Sequence, residues 1–534
     1  MSGSKKQSFL HGAALLTLAT IVVKVIGAFY KIPLKMVIGD MGYGYFMSAY
    51  DIYTVLLMIS TAGLPVALSR MISEASSLGR YGQLRRTYLT AQGIFLGLGV
   101  AGSLLMTLFA RELAQWLNSP NSWVAIACLG PSALLICLMS AFRGFFQGQS
   151  DMIPTSVSQV LEAVCKLVIG LLAAWVIYRN SGSVPMAAGG AILGVTIGCV
   201  FSTVFLGAKF FPAWNALPRD QGTVDSYGET AKKLLAIAVP ITIGSTGLQL
   251  INMLSIKVYM GGLLNIGNTQ DQADTLKGIY NMSQTIFNLP CSFVVPLTVS
   301  SLPVITSLLT QKRLSEVKAT EESAFRITAL IAAPCSAGLM VLGKPVMGLL
   351  GGYSGEYLVL GGWLLSIIGL CVVIHALVML TNSMLQAHGN ATAPAVHMFI
   401  GGVVKLWSIY VLCNNPDVGI VGVPIATILC YAVILVLNLF AVKKSVEDAP
   451  KLLRNIWRSL VSAGVMGAVV FAVMKVLEGV FGYDSGMGKL LLCALPVCVG
   501  VVVYVVLAVK LKSITRADCE LLPKGKKIAD ILHL

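Results

Sequence analysis

The chain is poor in charge and poorer still in acid. Only 11% of its 534 residues are charged, 23 acidic against 38 basic, where an ordinary soluble domain carries about 25% charged residues. That excludes a soluble globular protein. None of its 12 cysteines forms a CxxC pair, and Cys128, Cys137, Cys165, Cys199, Cys371 and Cys430 fall inside apolar runs. This excludes a zinc ribbon or a disulfide scaffold and leaves small buried hydrophobes. The leading MSGSKKQSFLHG has no small-residue cleavage site before a new domain. It reads as a cytoplasmic lead into a first helix rather than as a signal peptide. The nearest thing to a phosphate loop, GLMVLGKP from Gly338 to Pro345, ends in Pro instead of Ser or Thr and has no strand before it, so no nucleotide site is expected. His375, Asp51 and Glu162 are isolated candidates rather than a catalytic set, so a membrane enzyme is the weakest reading.

What is present is hydrocarbon. The sequence is 56% hydrophobic with a mean hydropathy of +0.82, the composition of an all-α polytopic membrane protein. Fourteen apolar runs can be traced, at 9–38, 44–72, 87–110, 122–147, 155–178, 187–211, 230–261, 276–309, 323–349, 358–386, 391–413, 418–442, 456–478 and 488–510. Pro33, Pro65, Pro240, Pro290 and Pro303 are expected to kink them. The net charge of +15 does not point to nucleic acid, because most of it lies in short loops. Arg80, Arg85 and Arg86 follow run 2; Lys209, Arg219, Lys232 and Lys233 flank the loop after run 6. Lys312, Arg313 and Lys318 follow run 8, Lys443, Lys444, Lys451, Arg454 and Arg458 follow run 12, and Lys510 to Lys527 follow run 14. The loop 262–275 carries only Asp271 and Asp274. The positive-inside rule then makes both termini cytoplasmic.

Run 1 breaks the apolar pattern. ATIVVKVIGAFYKIPLKMVIGD, Ala19 to Asp40, carries Lys24, Lys31 and Lys35, and spacings of seven and four residues place them within about 20° of one line on a helix. Lys31 and Lys35 lie near the run's end and are open to snorkelling. Lys24 lies about 22 Å into the run at 1.5 Å per residue, so the stripe faces a cavity or partner charges. Elsewhere within the runs stand Lys166, Lys257 and Lys405 against Asp51 and Glu162. Glu162 and Lys166, at i and i+4, either pair with each other or serve the cavity; Lys257 is expected to snorkel. The balance is positive, which suits an anionic substrate.

The chain also repeats itself. FRGFFQGQSDMIPTSVSQVLEAVCKL around runs 4 and 5 answers LTNSMLQAHGNATAPAVHMFIGGVVKL around runs 10 and 11. Gln147 pairs with Gln386, Pro154 with Pro394, Lys166 with Lys405 and Arg143 with Asn382. GLPVALSR in run 2 answers SLPVITSL in run 8. Two six-helix lobes enclosing a midplane cavity is a transporter pattern. The expected division is an N-lobe at 1–212, a cytoplasmic linker at 213–229, a C-lobe at 230–443, two added helices at 444–510 and a basic tail at 511–534. Run 10 places His375, Asn382 and Gln386 on one face; His375 is a proton site or, the preferred reading, a hydrogen-bonded structural residue.

KVIGAFYKIPL with GDMGYG, GLPVALSRMISE, FRGFFQGQSDMIP and fourteen rather than twelve helices resemble the multidrug/oligosaccharidyl-lipid/polysaccharide exporter superfamily. Within it the sequence looks most like the polysaccharide-biosynthesis branch of stage V sporulation protein B and the MurJ-type lipid II flippases. The resemblance implies fourteen transmembrane helices, two lobes, a central cavity and alternating access in a bacterial plasma membrane. It implies basic residues from helices 1 and 2 in that cavity, here Lys24, Lys31 and Arg70, and an Arg from helix 8. Helix 8 departs from this pattern: IYNMSQTIFNLP offers Asn281, Gln284 and Asn288 instead. It further implies that the last two helices border a groove for a polyprenyl tail; a plain lipid-facing addition is the alternative.

The expectation is therefore a flippase, not an enzyme, that carries a polyprenyl-diphosphate-linked sugar outward, with lipid II the leading candidate. The alternatives are a flippase for another lipid-linked polysaccharide unit and a multidrug/cation antiporter. The candidate cavity residues are Lys24, Lys31, Lys35, Asp51, Arg70, Arg143, Glu162, Lys166, Asn281, Gln284, Asn288, Asn382, Gln386 and Lys405. No cofactor or metal is expected, and energy would come from the membrane potential or a H+ or Na+ gradient. The expected partners are the anionic lipid-linked sugar, membrane lipids and cell-wall synthases, with no nucleic acid and a monomeric state.

Overall fold

The computed structural model describes residues 2–61, 63–218, 224–390, 392–445, 451–483, 485–511 and 513, with backbone only at 2–18, 21, 24, 28, 240, 243–245, 248, 293–304, 307, 310, 445, 452, 453 and 455. The expected tail past 513, Arg219, and the side chains of Lys24, Pro240 and Pro303 lie outside the described residues.

The described residues are helical and contain no strand. The helices are α1 (Ser2–Thr61), α2 (Leu64–Ser77), α3 (Tyr81–Leu108), α4 (Ala110–Trp116), α5 (Trp123–Gly148), α6 (Ile153–Ser181), α7 (Val184–Asn215), α8 (Tyr227–Asn265) and α9 (Gln270–Thr310). They continue with α10 (Leu314–Val341), α11 (Gly343–Leu350), α12 (Gly355–Gly369), α13 (Cys371–Ala387), α14 (Thr392–Cys413), α15 (Gly422–Ser445), α16 (Leu452–Glu478) and α17 (Gly486–Lys510). The described residues of the apolar runs are almost all helical, and among the described residues eleven segments are long and apolar enough to cross a membrane. Hydrocarbon leaves the backbone no other partner, so apolar runs of this length close their hydrogen bonds within themselves.

Two compact units divide the chain, Met1–Gly278 and Ile279–Leu534. In the first unit, α1 turns at Gly39, whose φ of 71° and ψ of −178° belong to glycine alone. The expected loop there is thus a single-residue break between two helical arms. Pro65 does not kink a helix; it stands in the first turn of α2, where its missing N–H is harmless. The small residues of α6 and α7 let these helices meet backbone to backbone: a Cβ on Gly194 would lie 2.3 Å from the Gly170 nitrogen. Such contacts replace the hydrophobic effect where lipid is the solvent. Asp225, just before α8, is tied down, since Gln83 donates to its carboxylate at 3.3 Å and accepts from its backbone N–H at 2.9 Å. Ser226 and Glu229 form a capping box that starts α8.

In the second unit, Phe325 of α10, Leu377 and Met384 of α13, Val442 of α15 and Ile456 of α16 form one core. The matched prolines of the sequence repeat both fall in first turns, Pro154 in α6 and Pro394 in α14, and each is followed by its matched lysine, Lys166 or Lys405.

Candidate functional site

The first unit gathers charge in its interior. The two arms of α1 supply Lys31 from one side of Gly39 and Ser48, Tyr50 and Asp51 from the other. Arg143 comes from α5, Ser158, Glu162 and Lys166 from α6, and Lys277 from the first turns of α9. Lys31, Arg143, Lys166 and Lys277 stand against Asp51, Glu162 and Asp274, four cations to three carboxylates.

Each cation but one is engaged. The Arg143 guanidinium donates to Ser158 Oγ at 3.0 Å and to Glu162 Oε2 at 3.3 Å. This corrects the i,i+4 pairing of Glu162 with Lys166: a rigid fork reaching two acceptors at once outcompetes a flexible ammonium. Lys166 Nζ instead donates to the Tyr50 hydroxyl at 2.6 Å and lies 4.4 Å above the Tyr50 ring and 5.1 Å from the Tyr30 ring. Tyr30 is fixed in turn by its hydroxyl, which donates to the Ala191 carbonyl at 3.2 Å. Lys277 is fully buried. Its ammonium donates to Ser48 Oγ at 2.6 Å and stands 3.8 Å from Asp51 Oδ2. Lys31 is half-buried, within electrostatic reach of both Asp51 and Lys166. Among the described residues its ammonium has no hydrogen-bond partner.

Other charged residues singled out in the sequence are engaged or exposed. Lys35 neither snorkels nor faces open space; it is buried with its ammonium 3.4 Å from Asp40. Arg70 is exposed on α2. Lys257 sits 4.4 Å above the Trp116 ring. Asp274, expected in an exposed loop, is fully buried on α9, where it accepts from Ser119 at 2.6 Å and Gln270 at 3.0 Å. Sequence reasoning missed Lys277 as a site residue. It stands at the edge of run 8, where a lysine passes for a boundary residue; its signal was a cation one turn after an acid, both facing the same way on a helix.

The second unit offers neutral groups. Asn281 is buried with its Nδ2 unpaired. Gln284 Nε2 donates to the Tyr280 hydroxyl at 3.4 Å, and Asn288 and Gln386 are exposed. Asn382 Oδ1 accepts from Asn438 Nδ2 at 2.8 Å; Asn438 also donates to Thr381 at 2.9 Å and accepts from His397 Nδ1 at 2.7 Å. Lys405 is buried at 8% exposure, within electrostatic reach of Cys371 and Cys430. His375 is not the hydrogen-bonded residue expected: neither ring nitrogen has a partner among the described residues.

Comparison with known proteins follows the same lines. A family model described as polysaccharide biosynthesis protein matches residues 9–309. An uncharacterized membrane protein of Bacillus subtilis, YabM, is 27% identical over 99% of this chain and 98% of its own length. The lipid II flippase MurJ of the same organism is 24% identical over 93% and 94%. A solved structure of lipid II flippase MurJ in an inward closed conformation superposes with a TM-score of 0.64 at 14% identity, covering 93% of this chain and 98% of that one. That last likeness concerns the fold.

Proposed function

Because the chain belongs to the polysaccharide biosynthesis protein family, we propose that it is a multi-pass flippase that carries a polyprenyl-diphosphate-linked sugar from the inner to the outer leaflet of a bacterial plasma membrane, both of its termini lying in the cytoplasm. The observation that carries this reading is the cation excess among the clustered groups of the first unit, with the Lys31 ammonium making no hydrogen bond among the described residues. A cation excess in a low-dielectric interior calls for a counter-ion. A diphosphate supplies one; a cationic drug would meet repulsion, so the antiporter alternative loses ground. Lys31 grips the phosphates and Lys24, an arm's length along the same helix, is proposed to assist. Arg143, Lys166 and Lys277 hold the carboxylates and tyrosines that shape the site.

The reaction is transport, with no bond made or broken by the protein. Moving two negative charges outward across an inside-negative potential of 100 mV is favoured by about 4–5 kcal/mol, so the potential suffices as a drive. The peptidoglycan precursor lipid II is the first substrate to test, since the MurJ relative carries that name. The test is rescue of cells depleted of their lipid II flippase. Growth restored by this chain, and lost again with Lys31→Gln at equal expression, supports the reading. Rescue of a capsule or teichoic pathway alone would move the substrate to another lipid-linked unit. Normal growth with both Lys31→Gln and Lys24→Gln would end the anionic-substrate argument.

A further inference from the structure

The second unit contains a polar group that the cation cluster of the first does not explain. His375 lies on α13, inside a membrane-spanning segment, half-buried and with neither nitrogen paired among the described residues. An ionisable side chain within a membrane-spanning segment is a functional candidate by default. Two aromatic rings frame it. Tyr431 of α15 lies 4.9 Å away at 66° and Phe287 of α9 lies 6.2 Å away at 59°.

Beside Phe287 on the same face of α9, three residues earlier, is Gln284. Its Nε2 is committed to Tyr280, which leaves its carbonyl oxygen as an acceptor. One turn before that, Asn281 is 5% exposed and its Nδ2 has no partner. The set is thus two aromatic faces, an imidazole with one donor and one acceptor when neutral, and two amides. None of these groups is charged. A cation would require carboxylates, and the charged side chain that shares the neighbours Cys371 and Cys430 with Tyr431 is a lysine, Lys405. An acyl chain would have no use for the imidazole and amides. A pyranose ring uses all of them: its C–H face lies on aromatic rings and its hydroxyl groups meet planar donors and acceptors.

We propose that His375, Tyr431, Phe287 and Gln284 form a site for a neutral sugar ring, the sugar of the lipid-linked substrate. The proposal rests on the flippase reading for its ligand, and is tested apart from it. The purified full-length protein in nanodiscs is titrated with two separate probes: N-acetylglucosamine, followed by saturation-transfer NMR, and inorganic pyrophosphate, followed by phosphorus line broadening. N-acetylglucosamine signal is expected in the native chain, reduced at least tenfold by His375→Ala and by Tyr431→Leu. Gln284→Ala, a milder change on a different helix, is expected to weaken it several-fold. Pyrophosphate binding is expected to survive all three and to be lost with Lys31→Gln.

No sugar signal with pyrophosphate binding intact overturns the sugar site and leaves the flippase reading standing. Sugar binding without pyrophosphate binding does the reverse. Undiminished sugar signal in all three variants overturns the location. His375→Gln separates hydrogen bonding from proton transfer. Sugar binding retained in His375→Gln supports the site whether or not transport survives; sugar binding lost there as fully as in His375→Ala overturns the hydrogen-bonding role assigned to the imidazole.

Discussion

Lys31 and Lys277 are the same side chain in opposite circumstances. Lys277 is sealed from solvent between Ser48 and Asp51, and removing one partner of such a pair strands the other charge in a medium that cannot solvate it. Lys277→Met is therefore expected to destabilise the first unit by about 3–5 kcal/mol, and Lys277→Met with Asp51→Asn to recover most of that loss. Thermal unfolding of the purified protein, followed by fluorescence-detected size exclusion, measures both. Lys31 makes no hydrogen bond or ion pair among the described residues, so Lys31→Gln is expected to leave the unfolding temperature in place and remove transport, a loss of about 2–5 kcal/mol in substrate binding. Lys31→Arg is expected to keep much of the activity, because a diphosphate accepts either cation. Lys257→Ala removes only a cation–π contact with Trp116, a loss of about 0.5–1 kcal/mol, and should complement normally. Lys31 was legible in the sequence because it interrupts an apolar run at a spacing shared with Lys24. Lys277 was not, because hydropathy marks the edge of a helix poorly, and its burial depends on the second arm of α1 packing across it. Glu162 was misread for a related reason: helical spacing names the nearest partner, and Arg143 on a neighbouring helix is a better one.

At the scale of elements, the first turns of α9 press against the second arm of α1 closely enough that side chains are excluded. A Cβ on Gly278 would fall 2.0 Å from the Asp40 carbonyl oxygen, and one on Gly44 would fall 2.6 Å from the Asp274 carbonyl oxygen. Backbone cannot swing aside as a side chain can, so Gly278→Ala is expected to lower stability by about 1–3 kcal/mol through overpacking. Gly97→Ala on α3 provides the contrast: nothing lies within 4 Å of its Cβ position, and alanine there should be neutral or stabilising by up to about 1 kcal/mol. The same unfolding assay compares them, and equal losses in the two would remove the close-contact argument. Apolar runs foretold which segments would be helical. They could not foretell that runs 1 and 2 join through one glycine, or that Asp274 would be drawn from a loop into the interior, since both follow from how helices fit rather than from their own composition.

For the whole molecule, the alternation of basic and base-poor loops carries a topology that labelling can check. Gly267→Cys, placed in a background freed of native cysteines, should react with an impermeant maleimide added outside intact cells. Lys451→Cys should react only after the cells are opened. The reverse pattern would overturn the orientation. The apolar runs made an all-helical, membrane-spanning fold legible without coordinates, while the fate of individual polar groups, His375 above all, required knowing which rings stand beside it. The boundary between the compact units has a practical consequence for anyone dividing the gene. Placed at residue 278 it would sever α9 in mid-helix. Placed in the turn at Gly267, whose φ is 96°, it would yield two fragments with every helix whole. Lys277 would then arrive on one polypeptide and Asp51 on the other, so an internal ion pair would become part of the surface by which separately synthesised halves find each other, and Asp51→Asn would weaken their co-purification.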